Sequence, residues 1–85
     1  MDIVTKTLID VMRDLQDIDI TSEDIQSGKS LSEFDLDSID SIELLLEVEE
    51  RFDQMDLPDF DNAELANLKE VWQYITDHLP ESYKS

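Results

Sequence analysis

The sequence predicts an all-α bundle of three main helices, one short helix and a long first connection. Three observations predict it. Apolar residues recur at three- and four-residue steps in three separate stretches. No stretch alternates with period two, as a half-buried strand would. The single glycine and the two prolines fall between or after the periodic stretches and not inside them. Eighty-five residues make one domain, 1–85. Its core spans about residues 2–79, and the tail "PESYKS" over 80–85 reads as frayed.

The first helix is expected over residues 2–16. Val4, Leu8, Val11, Met12 and Leu15 share one face, and Asp2 suits the positive end of the helix dipole. Residues 17–36 show no long period. Ile18, Ile20, Ile25, Leu31 and Phe34 are scattered among polar residues, and Gly28 marks a turn, so the segment reads as a long loop pinned over the helices. The second main helix is expected over 38–53, with Asp37 as N-cap accepting from the Asp40 amide. At 100° per residue, Ser41, Leu44, Leu45, Val48 and Phe52 form its core stripe. The opposite face carries Ile39, Glu43, Leu46, Glu47 and Glu50, two apolar residues among carboxylates. Pro58 separates this helix from a short one over about Asp59–Leu65. The last helix starts at Asn67, which forms a capping-box spacing with Glu70, buries Leu68, Trp72, Ile75 and Leu79, and stops at Pro80.

Charge narrows the function. The net charge of -17 argues against nucleic acid and anionic membrane as partners and favours basic protein surfaces. No apolar run approaches membrane-spanning length, and "MDIVTKTLIDVM" lacks the pattern of a signal peptide, which reads as a soluble, cytoplasmic protein without membrane insertion. There is no cysteine and one histidine, His78, which reads as a cation near a helix C-terminus. Thiolate and histidine metal sites therefore lack ligands. An EF-hand register also fails: counted from Asp35 the fifth, sixth and twelfth positions are Ile39, Asp40 and Leu46, and from Asp53 the sixth is Pro58. No metal site is expected, only weak divalent association with clustered carboxylates. The carboxylates lie on solvent faces and no base adjoins Ser38 or Ser41, so no catalytic residue is expected. Ser38 follows the N-cap of the second main helix. A phosphate attached there would meet helix amides and the positive dipole end, which makes Ser38 a suitable attachment point for a phosphodiester-linked group.

The stretch "SLSEFDLDSIDSIELLLEVEERFD" resembles the central motif of acyl carrier proteins, L-x-x-L-G-x-D-S-L-x-x-x-E-L followed by E-E-x-F. Leu31, Phe34, Asp37, Ser38, Ile39, Glu43 and Leu44 match, and Glu49, Glu50 and Phe52 continue the pattern. The stretch "LPDFDNAELANLKEVWQYI" resembles the family's second half, and the similarity covers about residues 2–79. The resemblance implies an acyl-carrier-like four-helix bundle. It implies a 4′-phosphopantetheine arm on Ser38, transferred from coenzyme A by a phosphopantetheinyl transferase, whose thiol holds acyl groups as thioesters. The arm would supply the only thiol of a cysteine-free chain. The implied role is a monomeric carrier presenting acyl intermediates to synthases, reductases, dehydratases and acyltransferases of a type II fatty-acid or related pathway. A polyketide, aminoacyl or D-alanyl carrier is the alternative, and an acidic interaction or inhibitor module the more distant one.

Carried over from the family, partner docking falls on Asp37, Ile39, Asp40, Glu43, Leu46, Glu49 and Glu50. Negative charge would steer the carrier to basic patches, and an acidic rim around a small apolar set would allow brief contact with several enzymes. Candidate lining of an acyl pocket is Leu44, Leu45, Val48, Phe52, Leu57, Leu65, Leu68 and Ile75, ordinary core residues in any case. The chain departs from the family pattern at Asp35, where glycine is usual, at Ile39, where leucine is usual, in the added residue of "FDQMDLP", and at Trp72, where a smaller aliphatic residue is common. These departures point to a specialised carrier.

Overall fold

The computed structural model describes residues 2–52, 57, 65–80 and 83. They form an all-α bundle of helices α1 (Ile3–Gln16), α2 (Ser22–Ser27), α3 (Ser38–Arg51) and α4 (Leu68–Asp77), with a 3-10 turn at Leu31–Phe34. The expected short helix over 59–65 falls almost wholly outside the described residues.

Helix α1 begins where its sequence supplies a cap. The Asp2 carboxylate accepts from the Thr5 amide at 2.8 Å and from the Thr5 hydroxyl at 3.0 Å. Val4, Leu8, Val11 and Met12 are buried as the period requires, but Leu15 is 40% exposed. It lies on the last turn of the helix. Asp17 adopts a left-handed conformation, φ 57°. Its amide donates to the Arg13 carbonyl, and the Ile18 amide reaches back to the Met12 carbonyl at 3.2 Å, which closes the helix end.

Residues 17–36 are not a plain loop. Thr21 and Asp24 form a reciprocal capping box, the Asp24 amide to Thr21 Oγ1 at 3.2 Å and the Thr21 amide to Asp24 Oδ2 at 3.0 Å. The box starts α2, which buries a single core residue, Ile25, and ends at Gly28 with φ 74°. One buried side chain in six residues leaves no periodicity to read. A second box, Ser30 with Glu33, starts the 3-10 turn. Two backbone bonds stitch this connection to the start of α4: Leu31 N to Ala66 O at 3.1 Å and Leu68 N to Lys29 O at 2.9 Å. They flank an isolated antiparallel bridge between Ser30 and Asn67.

Helices α1, α3 and α4 share one core. Leu44, Leu45, Val48 and Phe52 of the α3 stripe are buried beside Leu8, Val11 and Met12 of α1. On α4 the buried residues are Leu68, Val71 and Ile75. Val71 thus occupies a place the sequence reading left out, while Trp72 is only half-buried and packs against the edge of the core. Its indole N–H donates to Asp2 Oδ1 at 3.2 Å, joining α4 to the α1 cap. The α4 cap differs from a standard box. Asn67 Oδ1 accepts from the Glu70 amide at 2.9 Å, and Glu70 Oε1 accepts from the Asn67 side-chain amide, not from backbone. Helix α4 ends at Asp77, and His78 Nδ1 lies 2.8 Å from the Tyr74 carbonyl. In the tail, the Tyr83 ring meets Phe52 edge-on at 5.0 Å and its amide donates to the Pro80 carbonyl. Among the described residues, no helix is long and apolar enough to cross a membrane.

Candidate functional site: the start and outward face of helix α3

Ser38 is the first residue of α3. The local sequence places it there through its neighbours. Asp37 Oδ1 accepts from the Asp40 amide at 3.0 Å, and Asp40 Oδ2 accepts from the Asp37 amide at 3.1 Å. The Ser41 amide then closes the first helical turn on the Asp37 carbonyl. Helix geometry leaves the Ser38 and Ile39 amides, at the first two positions, without intrahelical acceptors. They suit the phosphate of a group attached at this helix start.

The turn leading into α3 is held by Asp35 in a left-handed conformation, φ 59° and ψ 30°. Its amide bonds the Ser32 carbonyl at 3.1 Å, and Leu36 N reaches Leu31 O at the same distance. The backbone shape that favours glycine is therefore kept, with aspartate adopting it.

Ile39 and Leu46 are 65% and 44% exposed, the largest exposures among the big apolar residues of α3. Glu43 and Glu50 are exposed between and beyond them. These four residues follow i, i+4, i+7, i+11 spacing and so run as one line along the helix, apolar and acidic in turn. The remaining acids of α3 have partners within the chain. Asp37 and Asp40 cap each other's backbone. Glu47 Oε1 accepts from Arg51 Nε at 3.2 Å, while Arg51 Nη2 reaches Asp14 of α1 at 3.1 Å. These carboxylates, the Asp14 bond foremost, raise the Arg51 pKa further above its ordinary value. Glu49 Oε2 accepts from the Leu57 amide at 3.0 Å. Sequence reasoning missed this bond because it joins residues eight apart across the end of α3, where no periodicity operates.

The acyl-pocket candidates Leu44, Leu45, Val48, Phe52, Leu57, Leu68 and Ile75 are all buried, and Leu65 is half-buried against them. Two surface grooves, of about 260 and 500 Å³, flank Trp72, and none of these eight residues lines either.

A family model described as the phosphopantetheine attachment site matches residues 6–75. The match spans α2, the 3-10 turn and α3, and most of α1 and α4. No solved structure matched the chain. Membership implies dealings with a phosphopantetheinyl transferase and with acyl-processing enzymes. The chain belongs to the phosphopantetheine-attachment family of acyl carrier proteins: a non-catalytic carrier whose covalent cofactor is phosphopantetheine and whose cargo is the intermediates linked to it.

Proposed function

We propose that Ser38 bears the 4′-phosphopantetheine arm and that α3 presents its thioester cargo to the enzymes of a type II fatty-acid or related pathway. The observation that carries this reading is the position of Ser38, first in a capped fourteen-residue helix and within the D-S-I triplet that follows the Asp37 cap. The first helical amides can meet the phosphodiester there, and the hydroxyl oxygen is the atom that would attack the β-phosphate of coenzyme A, with 3′,5′-adenosine bisphosphate leaving. The transferase supplies that catalysis. The carrier supplies the oxygen and the surface.

Docking is read onto the outward side of α3. Ile39 and Leu46 offer apolar contact, and Glu43 and Glu50 offer carboxylates with no partner among the described residues. Asp37 and Asp40 lie nearby but hold each other's backbone amides, so they contribute field more than new bonds, while Glu49 holds the Leu57 amide through Oε2 and keeps its charge available to a cation. Basic patches on the partners complement this surface, and a charge of -17 accelerates encounter at low salt. A small apolar stripe with a charged surround gives brief docking and not a permanent interface.

The attachment site is tested by intact mass. Incubation with coenzyme A and a broad-specificity phosphopantetheinyl transferase should add one phosphopantetheine to the protein and none to Ser38→Ala. An unchanged wild-type mass, or a mass gain that survives the substitution, would remove Ser38 from this role.

A further inference from the structure

The bond between Glu49 and Leu57 connects two regions with different work. Glu49 is half-exposed on the flank of α3, next to the outward Glu50 and between the buried Val48 and the docking stripe. Its Oε2 holds the Leu57 amide at 3.0 Å. Leu57 is 2% exposed and belongs to the common core with Leu44, Leu45 and Val48. No ion pair engages Glu49 among the described residues. The nearest arginine in sequence, Arg51, is bonded to Glu47 and Asp14. The carboxylate that helps seat Leu57 in the core is therefore also open to an incoming cation.

We propose that Glu49 is a positioning residue that couples docking to the core. In the free carrier its carboxylate holds the Leu57 amide. When a lysine or arginine of a docking enzyme approaches the α3 flank, that cation competes for the same oxygens. A charge-assisted bond to a cation is stronger than one to a neutral amide, so the hold on Leu57 weakens. Its seat beside Leu44 and Val48 then loosens while the partner is in place. The coupling needs no shift of α3 itself, whose capping box at Asp37 and Asp40 lies at the far end of the helix. This inference rests on the reading of α3 as the docking helix, and it adds that docking alters the carrier's interior as well as covering its surface.

The test is amide hydrogen exchange of the ¹⁵N-labelled carrier, alone and with a phosphopantetheinyl transferase added without coenzyme A at low salt. Resonance shifts at Ile39, Glu43, Leu46 and Glu50 report docking separately. Exchange at Leu57 should accelerate about tenfold on docking, the scale expected for losing one hydrogen bond to a charged group, while core amides such as Val11 hold their rates. In Glu49→Gln the side-chain carbonyl can still accept from Leu57 but no longer attracts a cation, so docking should weaken, and at transferase concentrations that again saturate the shifts on the α3 face the acceleration at Leu57 should be absent. A purely structural Glu49 would not produce a partner-dependent change. Shifts on the α3 face with Leu57 exchange unchanged or slowed would overturn the coupling and leave the docking reading in place. No shifts on that face would remove the docking reading and the coupling with it.

Discussion

Single residues in this chain hold backbone shapes or joints that others depend on. Asp35 and Asp17 both occupy left-handed conformations, which aspartate tolerates better than most side chains but less readily than glycine. Asp35→Gly should stabilise the fold by up to about 1 kcal/mol, because it relieves this strain and removes one charge from an acidic turn. Urea denaturation midpoints check it, and a midpoint that falls would show that the Asp35 side chain contributes a contact outweighing both effects. Gly28 meets the same demand with glycine itself. A Cβ there would find Lys69 Cβ at an ordinary 3.5 Å, so its requirement is one of backbone and not of space. Asp2 is a joint, bonding Thr5 twice and Trp72 once. Partial burial alone would raise its pKa, but these bonds outweigh it and hold the carboxyl below its ordinary value.

At the scale of the element, α3 has one buried and one exposed side. Leu45 and Leu46 are adjacent in sequence, yet one is 1% exposed and the other 44%. Leu45→Ala should cost about 2–5 kcal/mol, a large share of the stability of a domain this small. Leu46→Ala should change stability by no more than about 0.5 kcal/mol while weakening association with a partner enzyme. Thermal unfolding and binding titrations on the two variants would read the separation directly. Equal losses of stability would mean that the outward side of α3 is packed in solution. The same helix is joined to α1 by the Arg51–Asp14 pair, which is too exposed to contribute more than a fraction of the stability.

Over the whole molecule, charge opposes compactness. Residues 32–64 hold thirteen acids and one base, Arg51. Raising salt from about 10 to 150 mM shortens the screening length from roughly 30 to 8 Å and should stabilise the fold by about 1 kcal/mol, which is roughly 4–8 °C in melting temperature. Millimolar magnesium should act in the same direction. Melting curves indifferent to both would show that repulsion is already relieved. Acid should act through Asp2 and Asp24, because both have folded pKa values below those of the unfolded chain. The Asp24 shift comes first from the Thr21 amide bond and then from Lys29. Their contribution is complete above the ordinary carboxylate range and is lost as the pH falls through their lowered values, below about pH 4. Melting temperature should therefore fall as the pH drops below about 4, the range in which their contribution is lost.

Much of this protein follows from local sequence. The period of Val4, Leu8, Val11 and Met12, the Asp37 cap, the alternation of Ile39, Glu43, Leu46 and Glu50, and the D-S-I triplet are all short-range patterns. A helix face or a helix end is set by residues within four positions of one another, so these features could be read directly. Tertiary structure decided the rest. Helix α2 has one buried residue and no period, and stands through its Thr21–Asp24 box and its stitching to the start of α4. Val71 is buried, while Trp72 turns to the edge where Asp2 accepts its N–H. Leu15 points outward although its spacing fits the buried face. The Glu49–Leu57 bond joins the flank of α3 to the core. Each of these depends on what a second element supplies: a carbonyl, a carboxylate, or the absence of a packing partner. Propensity and periodicity report how a segment can fold, and only the neighbours it meets determine which of its side chains are covered and which remain free for a partner.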